Sequence, residues 1–237
     1  MIRIENTGVY GFEAAIRGMR NPMNSWEKSD SFIRTCSKGD LDRLCDKNCQ
    51  DPYCSGPNIS GIGKNDLDLM IRLRNAGTDH RKFMRMITVT LDITAPLYWW
   101  KEFDTYKVGT VANSCSTMHK IHAKEFDVND FSHEHVEELT GDDYNMSYDF
   151  LLRTVDILNY YRKKFLETNN KKYWWQMIQL LPSSYNQRRT VMLNYEVLTN
   201  IYHARKNHKL DEWHTFCDWI EELPYSELIT NNGNEEL

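Results

Sequence analysis

Residues 86–119 decide the fold, and they read MITVTLDITAPLYWWKEFDTYKVGTVANSCSTMH. The first part alternates apolar and polar residues with a period of two, which predicts a strand with one buried face and one polar face. The apolar positions of this alternation are Ile87, Val89, Leu91 and Ile93. Strands of this kind are typical of antiparallel sheets. We therefore expect an antiparallel sheet that packs against helices on its apolar face.

An aromatic helix is predicted directly after this strand. Thr94 is expected to cap the helix, Pro96 to lie in its first turn and Gly109 to end it. A run of small hydroxyl, amide and thiol side chains then follows, comprising Thr110, Asn113, Ser114, Cys115 and Ser116. We interpret this patch as part of a polar ligand site that the strand and helix hold in place.

The rest of the chain predicts one α+β domain over residues 1–230. Two stretches are expected to lie outside its regular elements, a cysteine- and proline-rich loop at about 21–62 and a flexible tail at 231–237. Helical spacing of apolar residues predicts the remaining helices. They are expected around residues 14–19, from 65 to about 77, from about 151 to 165, at 171–182, at 188–206 and at 210–222.

Composition excludes several classes of protein. The 237 residues carry a net charge of −5 and have a pI near 5.9, which argues against a protein that binds DNA or RNA polymers. The opening residues MIRIENTGVYGFEAAIRG lack the apolar stretch of a signal peptide, and no apolar run approaches the roughly 20 residues that span a bilayer. We therefore expect a soluble, cytoplasmic protein without a membrane partner.

Four of the six cysteines, Cys36, Cys45, Cys49 and Cys54, lie in the proline-rich loop. Four thiolates can hold a structural zinc ion, but this spacing lacks the paired Cys-x-x-Cys of such sites. Unrelated thiols in a loop are the favoured interpretation, so no metal site is predicted. Cys115 has no accompanying signature of a catalytic cysteine.

Asn194 and Arg205 are separated by 11 residues in the segment 188–206. On one helix this spacing corresponds to about three turns, so the two side chains share a face and lie about 16 Å apart. An amide and a guanidinium at that separation suit two subsites of one extended ligand. The alternative is a solvated helix face with an arginine at its end, and the spacing alone leaves both open.

Three segments resemble the flavin-dependent thymidylate synthase family, also called thymidylate synthase complementing proteins. Residues 12–30, FEAAIRGMRNPMNSWEKSD, resemble the first helix of that family. Residues 71–96, IRLRNAGTDHRKFMRMITVTLDITAP, resemble its histidine-bearing helix end and the strand before its signature. Residues 181–214, LPSSYNQRRTVMLNYEVLTNIYHARKNHKLDEWH, resemble its nucleotide-binding helix. The resemblance implies the fold of that family and a homotetramer whose sites combine several subunits.

Some family site positions are kept in this sequence. The resemblance places His80 beside flavin and folate, and it places Asn194, Asn200 and Arg205 in contact with flavin or a pyrimidine nucleotide. The signature Arg-His-Arg falls instead on Thr105, Tyr106 and Lys107, where only the lysine keeps the charge.

Other family positions are changed as well. The resemblance puts Thr110 at a signature serine, Asn113 at a glutamate of the nucleotide site and Cys115 at the serine beside the base. It also puts Thr117 and Ile178 at two phosphate-binding arginines and Glu196 at a flavin-contacting arginine. Threonine and isoleucine cannot replace the bidentate bonds of arginine to phosphate. Positive charge from Arg85, Lys107, Arg188 or Arg189 is a candidate compensation.

Two functions are compatible with this pattern. The first is a homotetramer that holds a nucleotide or nucleotide-derived signal in pockets between subunits without converting it. The predicted ligand residues are Lys107, Thr110, Asn113, Ser114, Cys115, Ser116, Asn194, Asn200 and Arg205. The alternative is a divergent flavin-dependent synthase that methylates or modifies dUMP or a related nucleotide, with FAD near His80 and Tyr106. Trp99, Trp100, Trp174 and Trp175 are expected either at subunit interfaces or in the core.

Overall fold

The computed structural model describes residues 2–31 and 61–231. In these ranges four strands form one sheet in the order β1-β2-β4-β3. The strands are β1 (Arg3–Tyr10), β2 (Thr88–Pro96), β3 (Val111–Ser114) and β4 (Asn186–Asn194). The helices are α1 (Phe12–Arg20), α2 (Lys64–Asn75), α3 (Leu97–Phe103), α4 (Thr117–Lys120), α5 (Glu134–Glu137), α6 (Gly141–Thr168), α7 (Lys171–Leu180), α8 (Tyr195–Arg205), α9 (Asp211–Glu221) and α10 (Glu227–Thr230).

The predicted antiparallel sheet is confirmed, with β2 in its interior. β2 pairs with β1 on one side and with β4 on the other, and both ladders are antiparallel. The apolar side chains of β2 are almost fully buried, while Thr88, Thr90, Asp92 and Thr94 lie on the less covered face. The strand therefore has the one-sided character that its sequence predicts.

The prediction of one helix over 188–206 is wrong. Residues up to Asn194 form β4, and α8 begins only at Tyr195. Val191 and Leu193 are buried between exposed neighbours, and the β4 backbone bonds to β2 and β3 on its two edges. Asn194 ends the strand and caps the helix, because its Oδ1 accepts a hydrogen bond of 3.1 Å from the backbone N–H of Val197.

The aromatic helix is also shorter than predicted. Thr94 does not cap it, since β2 continues through Pro96, and the helix ends at Phe103 rather than at Gly109. The first N–H groups of α3 bond instead to loop carbonyls before β4: Leu97 donates to the Tyr185 carbonyl and Tyr98 to the Ser183 carbonyl, each at 3.0 Å. These bonds satisfy donors that a capping side chain would otherwise serve.

The main core lies between the apolar face of the sheet and helices α1, α2, α3, α8, α9 and α10. Its centre is aromatic: Trp99 packs against Trp213 with ring centroids 4.8 Å apart and stacks on Phe103 at 5.0 Å. Trp99 and Trp100 are 0% and 1% exposed, so both belong to the core rather than to an interface. Trp175 is largely exposed, and Trp174 is partly buried.

A second, smaller core forms between α6, α7 and the segment before them. Its buried side chains are Ile121, Phe126, Phe131, Leu151, Val155, Leu158 and Met177. The α6–α7 hairpin thus has a hydrophobic cluster distinct from that of the sheet. No helix in the described part of the chain is long and apolar enough to cross a membrane.

A buried polar network joins α1, the start of α2 and residues 29–31. Asp66 accepts hydrogen bonds of 2.6 Å from Arg20 Nε, Ser29 Oγ and Ser31 Oγ. Burial alone would raise the pKa of Asp66, but these bonds together hold the pKa below its ordinary value. Ser31 Oγ also accepts a bond of 2.9 Å from the backbone N–H of Gly63. The predicted cysteine cluster and the tail from 232 onward lie outside the described residues.

Candidate functional site

The loop after α3 runs along α8 and contacts both of its ends. At the end of α8, Arg205 Nε donates a hydrogen bond of 2.9 Å to the Tyr106 hydroxyl. At its start, Gly109 packs so closely that a Cβ there would lie 3.0 Å from Asn194 Nδ2. Gly109 also has a φ of +79°, which favours glycine. Residues 106–109 therefore lie beside both Asn194 and Arg205, the two positions that the sequence selected.

Arg205 is held on several sides. Its Nη1 donates to Glu102 Oε2 at 2.8 Å, and the Trp213 indole N–H donates to the same oxygen at 3.0 Å. The guanidinium carbon also lies 4.8 Å from the Trp213 ring centroid and 5.6 Å from that of Tyr106. The residues described here offer its Nη2 no hydrogen bond. Arg205 is thus a positioned guanidinium with one amino group still able to donate.

Thr110 follows Gly109 and provides an unsatisfied polar group. Its hydroxyl is buried and has no hydrogen-bond partner within residues 2–31 and 61–231. A buried hydroxyl left without a partner costs about 1–3 kcal/mol. A ligand or a neighbouring subunit that bonds to Thr110 would recover that energy.

The rest of the predicted patch lies along the sheet edge. Asn113 pairs with Thr190 and Ser114 with Arg189 in the β3–β4 ladder, so these neighbours point to opposite faces of the sheet. Cys115 follows with an exposed thiol, and Ser116 Oγ caps α4 by accepting from the His119 N–H at 3.1 Å. Lys107 is exposed in the preceding loop. Of the predicted patch, Thr110 adjoins Gly109 at the start of α8, whereas 113–116 continue along the edge.

Glu196, Asn200 and His80 lie around a second cluster near α8. Glu196 is buried and accepts hydrogen bonds from Arg85 and from Arg81, whose Nε is 3.5 Å away. Arg81 Nη2 also donates to Asn200 Oδ1 at 3.2 Å. His80 is exposed and precedes the 3₁₀ turn Arg81–Met86 that carries both arginines. The Glu196 carboxylate is therefore neutralised by this turn.

Most of the candidate compensating charges are already paired within the protomer. Arg85 bonds to Glu196, and Arg188 Nη2 lies 2.8 Å from Asp92 Oδ2. Arg189 Nη1 lies 2.7 Å from Asp104 Oδ1. Lys107 is exposed and has no ion pair with any described residue. Of these four candidate charges, Lys107 is therefore the one that is available to bind a ligand.

Sequence reasoning missed Glu102, Trp213 and Arg81. Their hydrogen bonds join residues far apart in the chain: Glu102 bonds to Arg205, Trp213 to Glu102 and Arg81 to Glu196, so no local pattern marks the pairings. Helical spacing locates Glu102 on the aromatic helix but gives no sign of a bond to Arg205. The packing of α3 against α8 and α9 reveals the contacts of Glu102 and Trp213, and the packing of the Arg81–Met86 turn against α8 reveals that of Arg81.

A surface cavity of about 560 Å³ lies elsewhere, on α6. Its lining includes Asp156, Arg162, Lys163 and Glu167, and none of the predicted ligand residues. No group of three or more histidine, cysteine or acidic side chains suited to a metal occurs within the described ranges.

The fold is similar to that of flavin-dependent thymidylate synthases. The chain superposes on the ThyX protein of Helicobacter pylori, solved with FAD and dUMP, with a TM-score of 0.63 at 16% identity, covering 96% of this chain and 97% of the other. It also superposes on the UMP/dUMP methylase PolB of Streptomyces cacaoi, solved with 5-Br dUMP, with a TM-score of 0.61 at 12% identity, covering 98% and 96%. No protein-family model and no curated protein matches the chain. At these identities the likeness establishes a fold like that of ThyX.

Proposed function

We propose that this chain is a binding protein that holds a nucleotide or nucleotide-derived molecule beside α8 without converting it. The observation that carries the proposal is the arrangement of residues 106–110, which contact both Asn194 and Arg205. These two residues mark the ends of α8, about 16 Å apart at 1.5 Å per residue. That span suits a ligand with a base at one end and phosphate at the other.

The hydrogen-bonding groups along α8 include charged and neutral ones, which suits a ligand that has both a phosphate and a base. Arg205 offers its Nη2 at one end, and Lys107 adds an exposed ammonium between the two ends. Both suit phosphate or carbonyl oxygens, since a charged donor strengthens the hydrogen bond. Thr110 adds a hydroxyl without a partner in the described residues, and Asn194 adds an amide. These two neutral groups suit the edge of a base.

A second subunit is proposed to complete each site. Asn113, Ser114, Cys115 and Ser116 are exposed along the sheet edge, where a protomer alone leaves them in solvent. In a homotetramer they would face the α8 of a neighbouring subunit. This arrangement supplies the pocket walls that the loop and α8 lack on their own.

The residues present do not fit the flavin role that the family resemblance implies. Glu196 places a carboxylate where that resemblance expects a flavin-contacting arginine, and Arg81 and Arg85 are occupied in neutralising it. Tyr106 accepts its hydrogen bond from Arg205 rather than offering positive charge. Holding flavin for hydride transfer depends on positioned donors. We therefore propose binding without redox chemistry.

The alternative function is a divergent nucleotide-modifying synthase. It is favoured by the similarity to PolB, whose structure is described as a UMP/dUMP methylase. Flavin absorbance of the purified protein distinguishes the two functions. A yellow protein that oxidises reduced nicotinamide cofactor only when dUMP is present would establish the synthase and reject the proposal. A colourless protein without that turnover supports it.

The binding proposal is tested by calorimetric titration with dUMP, UMP, dTMP and their nucleosides. Arg205→Ala is expected to weaken binding of a monophosphate about tenfold to a hundredfold, since a charged hydrogen bond contributes about 1.5–3 kcal/mol. Arg72→Ala is the matched control, because Arg72 is exposed on α2, away from the site. Absence of binding across the panel, or unchanged binding by Arg205→Ala, would reject the site.

A further inference from the structure

Gln187 is a buried side chain at the start of β4 that reaches across to the residues after β3. Its amide Nε2 donates hydrogen bonds to the Cys115 carbonyl at 3.2 Å and to Thr117 Oγ1 at 2.9 Å. One backbone bond, from the Cys115 N–H to the Arg188 carbonyl at 3.0 Å, follows the β3–β4 ladder. Beyond it the Gln187 side chain takes over from the backbone and holds this turn against the sheet.

The neighbours of Gln187 fix which way its amide points. Arg189 Nε can only donate, and it lies 2.9 Å from Gln187 Oε1. The Cys115 carbonyl can only accept, so it requires the amide nitrogen on the other side. A reversed amide would set donor against donor and acceptor against acceptor. The chemistry at both ends of the amide therefore selects this one orientation.

The same contacts link two parts of the proposed ligand site. Arg189 Nη1 donates to Asp104 Oδ1 at 2.7 Å, and its guanidinium carbon lies 4.1 Å from the Trp100 ring centroid. The Trp100 indole N–H in turn donates to the Gln187 carbonyl at 2.9 Å. Asp104 follows α3 and leads into the loop that runs along α8. One chain of hydrogen bonds thus runs from Asp104 through Arg189 and Gln187 to residues 115–117.

We propose that Gln187 is a positioning residue of the ligand site. Its amide holds residues 115–117 at a fixed place relative to the loop after α3. Gln187 is 8% exposed, so it acts through this turn and not by contact with a ligand. The consequence for binding rests on the proposed function, in which Cys115 and Ser116 are among the ligand residues. Small groups that meet a ligand bind it well only when their supporting contacts hold them in place.

Two substitutions at Gln187 test the effect on binding. Gln187→Leu removes both ends of the amide, whereas Gln187→Glu keeps an acceptor for Arg189 Nε and turns an oxygen toward the Cys115 carbonyl. Calorimetric titration with dUMP should show binding about two- to tenfold weaker in each, and no less so in the glutamate variant. A residue that only stabilises the fold would leave the affinity of the folded variants unchanged.

Two further variants complete the binding test. Gln179→Leu makes the same change at an exposed position on α7 and should bind dUMP as wild type does. Thr117→Val cuts one of the two bonds from the other side and leaves the buried amide in place. It should weaken binding by less than the Gln187 variants do, and it replaces them in the test if neither folds by circular dichroism.

Hydrogen exchange tests the positioning without a ligand. In Gln187→Leu, or in Thr117→Val if that variant replaces it, backbone amides of residues 112–120 should exchange about two- to tenfold faster by mass spectrometry, because the turn has lost hydrogen bonds. Amides of α6 should exchange as in wild type. A wild-type protein that binds no nucleotide would reject the proposed function, and exchange alone would then decide the role of Gln187. Unchanged exchange across 112–120, or unchanged dUMP affinity in folded variants of a wild type that binds, would overturn the inference.

Discussion

The two hydrophobic cores of this protein differ in how completely the protomer closes them. The sheet core is enclosed by helices around a stacked tryptophan cluster and contains many fully buried side chains. The α6–α7 core is smaller, and its main helix leaves Met146, Phe150, Ile157 and Tyr160 largely uncovered by the described residues. The difference indicates a division of labour: the sheet core sets the stability of the protomer and positions α8, while the α6–α7 core contributes less to that stability.

The largest expected effect lies at the edge of the sheet core. Asp66→Ala leaves Arg20 buried without its carboxylate, although Arg20 keeps backbone acceptors at Ser25 and Lys28. Removing one partner of a buried ion pair typically costs about 3–5 kcal/mol in the free energy of unfolding. Urea unfolding followed by fluorescence measures it. Asp68→Asn, on the exposed side of the same helix, is the matched control and should change little.

The Asp66 carboxylate should also make the stability of the protein sensitive to acid. The pKa of Asp66 is lowered from its ordinary value of 3.8 in the fold, so its stabilising contribution is present above that pH and is lost as the pH falls further. Asp66→Ala should therefore flatten the decline of stability below about pH 4. A variant that declines as steeply as wild type would show that folding does not lower the pKa of Asp66.

The contributions of the two cores to stability can be compared directly by truncating one fully buried leucine in each. Leu198 on α8 and Leu158 on α6 are both 0% exposed. Leucine to alanine in a core costs about 2–5 kcal/mol, and the cost falls where the surroundings can collapse into the cavity. In denaturant titrations, the loss in the free energy of unfolding should be near the upper end of this range for Leu198→Ala and near its lower end for Leu158→Ala. Equal costs, or a larger cost at Leu158, would contradict the division of labour.

A smaller effect is expected from Tyr106→Phe. The change removes the acceptor of Arg205 Nε but keeps the ring that the guanidinium faces. Loss of one hydrogen bond costs about 0.5–1.5 kcal/mol, which corresponds to a two- to tenfold weaker nucleotide Kd by calorimetry. Tyr10→Phe, at an exposed position on β1, is the control. A destabilised variant with unchanged affinity would place Tyr106 in the fold but not in the binding site.

The smallest effect is expected at His203. His203 lies partly exposed on α8, yet partial desolvation of its ring, and then the positive charges of Arg74 and Lys206, lower the pKa of His203. The unfolded chain therefore binds a proton more readily, and stability should fall as the pH drops below about 6.5. His203→Gln should flatten this slope in thermal unfolding between pH 7.5 and 5.5, whereas the exposed His214→Gln should not. An unchanged slope would assign the pH dependence to other groups.

Local periodicity predicted β2 and the main helices, but neither β3 nor β4, and it placed the start of α6 near 151 rather than at Gly141. The strand at 88–96 and the helices α2, α7 and α9 each carry a pattern that only one structure satisfies. Around β4 the apolar residues Val191, Val197 and Ile201 also fit a helical period, and the true pattern is too short to stand out. The ladders with β2 and β3 decide the outcome, and those pairings are non-local.

Spacing drew attention to Asn194 and Arg205, but the prediction that both lie on one helix was wrong. The 11 residues between Asn194 and Arg205 locate both ends of α8, even though the helix starts only after Asn194. The partners of Arg205 were not predictable, because Glu102 and Trp213 reach it from different helices. The burial of α6 residues was equally hard to predict, since Phe150 is exposed and Leu158 is buried although both are large apolar residues of the same helix.

The network around Asp66 also fastens two distant points of the backbone together. Ser31 bonds to Gly63, and the Ile62 N–H bonds to the Tyr225 hydroxyl at 2.9 Å, so residues 31 and 61–63 are neighbours in space. The start of α2 is therefore held against α1 and against the segment before α10 by side-chain bonds between distant parts of the sequence.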